Sequence, residues 1–211
     1  MIPLSQQAYQ QIKHKIITLE LEPNGVVDES LLREELELGR TPIREALQRL
    51  EREQLVNIVP RRGIFVTDID LNDLNRLFEL RIPLEALATR LAVQRGKPTH
   101  WEKMAACLAE ANPSIGNANL MEIDQRCHEI IYDAADNDFL QETAETLYTH
   151  AVRLWHYALA DVDDMQSAVL QHERMLAVME EGDEESAVSL METHIRDFHR
   201  EIQTAMLQKV R

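Results

Sequence analysis

Four side chains in the second half of the chain could together bind a metal ion. Asp124 and His128 are four residues apart, so on a helix they project from one face, about a turn from each other. His172 and His194 lie among apolar residues in two later segments, so both could point inward. One carboxylate and three imidazoles suit a divalent transition metal. The alternative is ordinary surface or core histidines, of which a chain with eight histidines has several.

Positive charge is concentrated in a second segment, although the protein is acidic. The net charge is −15, yet the stretch from Arg40 to Arg62 contains six arginines and three glutamates. Arginine supplies affinity for phosphate, and its paired donors can also recognise guanine. The segment therefore indicates nucleic-acid binding. The alternative is a solvated amphipathic helix beside an ordinary hairpin.

A helix and a hairpin are predicted to present these arginines. Pro42 is tolerated in a first helical turn, and the apolar residues after it recur at helical spacing: Ile43, Ala46, Leu47 and Leu50. Residues 55–59 and 64–66 are rich in β-branched residues and flank a Pro-Arg-Arg-Gly sequence, which predicts a β-hairpin with a basic tip.

Two further helices are predicted upstream. Residues 8–19 have a helical pattern and end at a turn over residues 22–25. Asp28 or Ser30 can cap a short second helix over residues 31–36. Helix, turn, helix, arginine-bearing helix and hairpin is the layout of a winged helix-turn-helix.

Residues 9–66 resemble the GntR-type bacterial transcription regulators. The resemblance rests on Arg40-Thr41-Pro42-Ile43-Arg44-Glu45-Ala46-Leu47 and on Gly63 in the wing. It implies that operator DNA is contacted by Arg40, Thr41, Arg44 and Gly63. Weaker candidates, chosen mainly for their charge, are Arg33, Arg49, Arg61 and Arg62. Two positions depart from the family pattern: Glu37 replaces a turn glycine, and Gly39 replaces a Ser or Thr helix cap.

Composition divides the chain into a nearly neutral part and a strongly acidic part. Residues 1–67 contain nine Lys and Arg against ten Asp and Glu, whereas the remainder has 13 against 27, a net charge of −14. We expect a DNA-binding domain over 1–67, a linker over 68–70 and a second domain over 71–211, which DNA should repel. Two cysteines without a paired spacing, and no apolar run of about 20 residues, predict a soluble cytoplasmic protein that does not span a membrane.

The second domain is predicted to be entirely helical, so the protein as a whole is mainly α. About six helices are expected, over residues 70–94, 99–111, 118–134, 137–160, 164–181 and 184–208. The candidate metal ligands then fall on three different helices of one bundle.

This helical region resembles the FCD ligand-sensing domain of the FadR-like branch of the family, in its VanR-like, six-helix form. The domain's metal motif is Asp-x-x-x-His on one helix and one His on each of two later helices, and here these positions hold Asp124, His128, His172 and His194. The resemblance implies a bound transition metal (Zn, Ni, Mn or Fe). It also implies that Arg81 pairs with the carboxylate of a small organic acid. The alternative for Arg81 is a surface arginine bonded to Glu85 at i+4.

Residues of a facing helix could line the same cavity or belong to the core: Arg153, Trp155, His156 and Tyr157.

The predicted function is that of a metabolite-responsive transcription regulator, which we expect to be a repressor. It is expected to bind a palindromic operator as a homodimer. Two alternatives remain at this point. One is a metal-dependent hydrolase, although no His-Glu-x-x-His motif is present. The other is an adaptor protein with a degenerate winged helix.

Overall fold

The computed structural model describes residues 2–112, 114–158 and 165–209 and divides the chain into two compact units, Met1–Asp70 and Leu71–Arg211. The first unit contains helices α1 (Leu4–Ile17), α2 (Glu29–Glu35) and α3 (Arg40–Arg52) and strands β1 (Val56–Val59) and β2 (Gly63–Val66). The second contains helices α4 (Leu71–Arg95), α5 (Pro98–Leu108), α6 (Asn117–Ala134), α7 (Asp138–Ala158), α8 (Gln166–Glu180) and α9 (Glu184–Lys209).

The first unit is a winged helix-turn-helix, as predicted, around one apolar core. The predicted apolar stripe of α3 is buried, and it packs with α1, α2 and the hairpin. Of the two candidate caps for α2, Asp28 is the one used, because its carboxylate accepts hydrogen bonds from the backbone N–H groups of Ser30 (2.7 Å) and Leu31 (3.2 Å). The helix therefore begins at Glu29, before the predicted start.

The turn between α2 and α3 places a glutamate in a backbone conformation that favours glycine. Glu37 has φ of +52°, and the next N–H, that of Leu38, donates back to the carbonyl of Arg33 (3.3 Å). A side chain in this left-handed region costs about 1 kcal/mol. Gly39 caps α3 without a side-chain hydrogen bond, so neither departure from the family pattern disrupts the turn.

The wing is an antiparallel pair in which Val56 lies opposite Val66 and Val59 opposite Gly63. Its tip needs two residues with positive φ, Arg61 (+63°) and Gly63 (+120°). The sequence predicted only a turn at residues 22–25, but the chain there also extends along β2, where the Val27 N–H donates to the Ile64 carbonyl (2.8 Å). This third extended segment is too short for its sequence to show the alternation of apolar and polar residues that predicts a strand.

Two further predicted helix starts are wrong. The first helix begins at Leu4 instead of residue 8. The predicted cap of α5 at Thr99 is replaced by a start at Pro98, a position where proline is favourable, and the ring Nδ1 of His100 accepts the N–H of Lys97 (3.0 Å). The predicted end of α7 at 159–160 and start of α8 at 164 lie outside the described residues.

The second unit is a bundle, and its described part contains six helices, as predicted. Its largest fully buried side chains include Trp155, Tyr132 and Phe78, contributed by α7, α6 and α4. Buried polar side chains lie among them, and these form the site described below. Within the described ranges, no helix is both long enough and apolar enough to cross a membrane.

Candidate metal centre and nucleic-acid interface

Three helices of the second unit bring four predicted ligands together. Helix α6 carries Asp124 and His128 one turn apart, α8 carries His172 and α9 carries His194. All four side chains are buried, and one ligand atom from each lies within 4.8 Å of the others. The spacing along α6 fixes two of the ligands locally, whereas the other two depend on how α8 and α9 pack against it.

The separations between ligand atoms suit a single ion. Asp124 Oδ1 lies 2.9 Å from His172 Nε2 and 3.3 Å from His194 Nε2. His128 Nε2 lies 3.3 Å from His194 Nε2 and 3.8 Å from Asp124 Oδ2. Two ligands about 2.1 Å from a metal are about 3.0 Å apart at a right angle and about 3.4 Å apart at a tetrahedral angle. The cluster could therefore hold a metal with little rearrangement.

Hydrogen bonds at the far side of two imidazoles support this fit. The ring Nδ1 of His128 lies 3.1 Å from Glu85 Oε2, and that of His194 lies 2.8 Å from Gln171 Oε1. A neutral histidine that donates its Nδ1–H to such an acceptor presents a lone pair at Nε2. The lone pairs of His128 and His194 then point at each other and at the Asp124 carboxylate. A bound metal ion would satisfy such a set.

Burial and hydrogen bonding together hold three of the four side chains in their metal-binding protonation state. Burial lowers the pKa of both His172 and His194, and this effect outweighs their hydrogen bonds with Asp124. Burial acts to raise the pKa of Asp124, but hydrogen bonds with His172 and His194 hold it well below its ordinary value. At neutral pH His172 and His194 are thus neutral imidazoles and Asp124 is a carboxylate, which are the forms that bind metal.

Arg81 lies in the same interior and is not a surface residue. Its guanidinium is 2 % exposed, and its Nε donates to Glu85 Oε1 (3.1 Å), so the i+4 bond of the alternative interpretation exists but is buried. Rings of Tyr148 and Phe78 lie 4.8 and 5.7 Å from the guanidinium carbon. Its terminal nitrogens have no hydrogen-bond partner among the described residues.

The side chains that connect Arg81 with the predicted metal ligands carry no motif in the sequence that would have indicated a functional role. Glu85 accepts from Arg81 and from the Tyr132 hydroxyl (2.6 Å) through Oε1, and it contacts the ligand His128 through Oε2. The hydroxyl of Tyr148 donates to Asp124 Oδ2 (2.8 Å). Burial raises the pKa of Glu85, but His128 and Arg81 outweigh it and bring the pKa to about 2. Glu85 is therefore ionised, and its carboxylate contacts both Arg81 and the predicted metal ligand His128.

The other predicted effector-binding residues lie on α7. Arg153 is buried at 2 % exposure, and Tyr157, one turn later, is half-buried. Trp155 is fully buried, and its neighbour His156 is half-buried.

The first unit exposes the arginines predicted to contact DNA. On α3, Arg40, Thr41 and Arg44 are exposed at its first turns, on the side away from the buried stripe. Arg44 donates from Nε to Glu29 of α2 (2.9 Å). Also exposed are Arg33 on α2, Arg49 near the end of α3 and, at the tip of the wing, Arg61, Arg62 and Gly63.

Arg49 differs from the other exposed candidates because its side chain is bonded to neighbours within the unit. Its guanidinium carbon lies 3.7 Å from the centroid of the Tyr9 ring, its Nε donates to Glu53 (3.0 Å) and its Nη1 donates to Gln6 (2.9 Å). These contacts fasten α3 to α1, which gives Arg49 a structural role.

Comparison with known proteins identifies both units. Residues 4–66 match the family of bacterial regulatory proteins of gntR type, and residues 76–197 match the FCD domain. The chain belongs to the GntR family. It is 26 % identical over 192 residues to the uncharacterized HTH-type transcriptional regulator YdhC of Bacillus subtilis, covering 88 % of this chain and 84 % of that protein. It is 28 % identical over 206 residues to the HTH-type transcriptional repressor GlaR of Escherichia coli, covering 90 % and 92 %.

The fold agrees with this assignment. The structure of E. coli McbR/YncC matches with a TM-score of 0.86 at 21 % identity, over 99 % of this chain and 100 % of that one. This GntR-family protein is thus a DNA-binding transcription regulator with a ligand-binding FCD domain. The family identifies a regulator and not a hydrolase.

Proposed function

We propose that this regulator is a repressor that binds a palindromic operator as a homodimer and responds to a small carboxylate metabolite. The observation that carries the proposal is the buried cluster of one Asp and three His beside Arg81 in a chain whose other unit is a winged helix. The relative GlaR, named as a transcriptional repressor, supports the sign of regulation. We also propose that the protein acts in the cytoplasm, where its operator would be.

The proposed DNA contacts are made by α3 and the wing. Arg40, Thr41 and Arg44 would enter the major groove, and Arg33, Arg61, Arg62 and Gly63 would contact the adjacent backbone. The ion pair between Arg44 and Glu29 is exposed, so it contributes little to stability and phosphate can replace the glutamate. We leave Arg49 out of this surface because of its contacts with α1.

Fluorescence anisotropy with an operator selected from genomic fragments tests the DNA contacts. Arg44→Ala should lose most of the affinity while its circular dichroism stays that of the wild type. A matched control is Arg200→Ala, which removes the same charge from an exposed position of α9. Equal losses in both variants would show that overall charge, not α3, determines binding. Unchanged binding of Arg44→Ala would contradict the proposed interface.

The proposed metal ligands are Asp124, His128, His172 and His194, and the proposed metal is Zn, Ni, Mn or Fe. Three imidazoles and one carboxylate leave coordination positions open, where the ion would supply a Lewis acid for a carboxylate oxygen. The chain's own residues orient the ligands, because Glu85 and Gln171 hold the imidazoles of His128 and His194.

The proposed effector is a small organic acid whose carboxylate pairs with Arg81. The support is that this buried guanidinium uses one donor on Glu85, while its terminal nitrogens lack hydrogen-bond partners in the described part of the chain. A buried cation with unused donors favours an anionic ligand. Arg153 and Tyr157, on α7, are proposed to contact the rest of the molecule.

Metal analysis of untagged protein, purified without chelator, tests the site. We expect about one transition metal per chain, and its loss in both His128→Ala and His194→Ala. The exposed His14, in the first unit, provides the control His14→Ala.

Calorimetric titration of carboxylic acids tests the effector site. It should give binding to the metal-loaded protein and none to Arg81→Ala. Absence of metal in the wild type would overturn the metal centre, while DNA binding is measured independently.

A further inference from the structure

The two cysteines of the chain lie beside each other in the second unit. Cys107 is on α5 and Cys127 is on α6, two helices that pack together, and both thiols are free. The thiol of Cys127 forms a hydrogen bond with the Cys107 sulfur, which is also 3.7 Å from the carbonyl oxygen of Ile123 on α6. The cysteines are 20 residues apart in the sequence, so only the packing of α5 against α6 brings the two sulfurs together.

The two thiols differ in their access to solvent. Cys107 is 5 % exposed and lines a surface cleft with a volume of about 380 Å³. Cys127 is fully buried and does not line this cleft. A cleft of this size admits a small molecule. Such a molecule can therefore reach the sulfur of Cys107, whereas the sulfur of Cys127 is reached only through Cys107.

The surroundings of Cys107 favour its thiolate. The hydrogen bond from Cys127 lowers the pKa of the Cys107 thiol, and the positive charge of Arg126, which lines the same cleft, acts in the same direction. Burial and the carboxylates of Glu110 and Glu129 act against this shift, but they do not outweigh it. The thiolate is the reactive form of cysteine, so the accessible sulfur of the pair is also the nucleophilic one.

We propose that Cys107 and Cys127 form a redox-sensitive dithiol, which small hydroperoxides oxidise to a disulfide within the chain. Cys107 is the attacking sulfur, and Cys127 is the resolving sulfur. An accessible thiolate poised next to a second cysteine is the arrangement that redox-sensing proteins use. Disulfides that form in a reducing compartment are usually transient, and small thiols of the glutathione type would restore the dithiol.

The oxidation consists of two balanced steps. In the first, the Cys107 thiolate attacks one oxygen of the hydroperoxide, so that an S–O bond forms, the O–O bond breaks and the other oxygen leaves as hydroxide or alkoxide, which takes a proton from solvent. Cys107 is then a sulfenic acid. In the second, the Cys127 sulfur attacks the Cys107 sulfur, the S–S bond forms, the S–O bond breaks and the thiol proton of Cys127 leaves with the hydroxyl as water. The two thiols lose two electrons, which reduce one hydroperoxide.

Peptide mass spectrometry of the full-length protein, treated with hydrogen peroxide in metal-free buffer, tests the product. Trypsin cleaves after Lys103, Arg126 and Arg153, so the cysteines fall in two separate peptides, residues 104–126 and 127–153. Without reductant, these peptides should be recovered as one linked pair that is two hydrogens lighter than their sum. Cys127→Ala should stop at the sulfenic acid, which dimedone would trap on the peptide 104–126.

The rate of thiol loss tests the part played by the folded structure. The native protein should lose its thiols faster than glutathione does in a parallel sample at the same pH, and faster than the urea-unfolded chain. Arg126→Gln should slow the reaction several-fold, because the positive charge beside Cys107 is removed. The matched control is Arg196→Gln on α9, an exposed arginine that is likewise paired with a glutamate (Glu192, 3.3 Å) and should leave the rate unchanged.

The outcomes separate a reactive dithiol from two cysteines that only fill the core. Thiols that persist in the native protein after the parallel glutathione has been oxidised would overturn the proposal, since buried cysteines commonly act as small apolar side chains. Equal rates in the native and the unfolded chain would overturn it too, because the fold would then contribute nothing. A disulfide that joins two chains, in place of the linked pair within one chain, would contradict the assignment of Cys127 as the resolving sulfur.

Discussion

Replacing Glu85 with glutamine tests how the buried network is held together. The substitution keeps the shape and the hydrogen-bonding capacity of the side chain but removes its negative charge. Arg81 would then be a buried cation without its ion-pair partner, and His128 would lose a charged acceptor. We expect two measurable losses, one in the stability of the metal-free helical unit and one in metal affinity.

The size of the stability loss follows from the pKa of Glu85. Its value falls from 4.5 to about 2 in the folded protein, and a shift of about 2.5 units corresponds to about 3 kcal/mol. This agrees with the cost of about 3–5 kcal/mol for removing one partner of a buried ion pair. Metal affinity should fall about 10- to 100-fold, as is typical when the partner of a metal-bound histidine is lost.

The lowered pKa of Glu85 also determines how the stability loss of Glu85→Gln depends on pH. A carboxylate whose pKa is lowered by folding stabilises the folded state above its unfolded pKa, and the contribution disappears as pH falls through the folded value. The difference between wild type and Glu85→Gln should therefore be about 3 kcal/mol at neutral pH and shrink as pH falls from 4.5 towards 2.

Urea denaturation of chelator-treated protein measures this difference. Both tryptophans, Trp101 and Trp155, lie in the second unit, so tryptophan fluorescence reports on that unit alone. The control is Glu129→Gln, an exposed glutamate beside His128 in the sequence, which should change stability by less than about 0.5 kcal/mol. A Glu85→Gln variant as stable as the wild type at neutral pH, with unchanged metal affinity, would refute the role given to this carboxylate.

Three further predictions concern other parts of the molecule. Glu37→Gly should stabilise the first unit by about 0.5–1 kcal/mol in calorimetry, because it removes a side chain from a left-handed conformation; a loss of stability would show that this turn is not strained. Arg49→Ala should destabilise the first unit by about 1 kcal/mol through its lost contacts with Tyr9 and Glu53, yet leave the salt dependence of DNA binding unchanged; a reduced salt slope would instead place Arg49 on phosphate. Chelation should lower the melting temperature of the helical unit, by an amount that grows with the metal's excess over its dissociation constant, and readdition should restore it; a melting temperature insensitive to chelator would contradict a stabilising metal.

Local patterns predicted the parts of the fold that depend on neighbouring residues. The stripe of α3 recurs at helical spacing, and the β-branched residues around Pro60–Gly63 define the wing, so both elements could be placed from the sequence. The ligand positions could be named because two are one helical turn apart and the family resemblance supplied the others.

Parts that depend on packing between distant segments could not be predicted. Glu85 lies 43 residues from His128, and only the folded bundle shows that the two side chains meet. The same applies to Arg81, where the sequence allowed a surface ion pair and the structure shows a buried one. Helix starts failed where a cap came from an unexpected residue, as at Lys97 and Pro98.

The order of the ligands along the chain has a consequence for synthesis of the protein. Asp124 and His128 leave the ribosome together on α6, so a nascent chain offers a two-ligand site as soon as that helix forms. His172 and His194 follow on α8 and α9, and both must be packed before the ligand set is complete. The proposed metal would thus be bound tightly only after α8 and α9 have been synthesised and packed, because they supply two of its four proposed ligands.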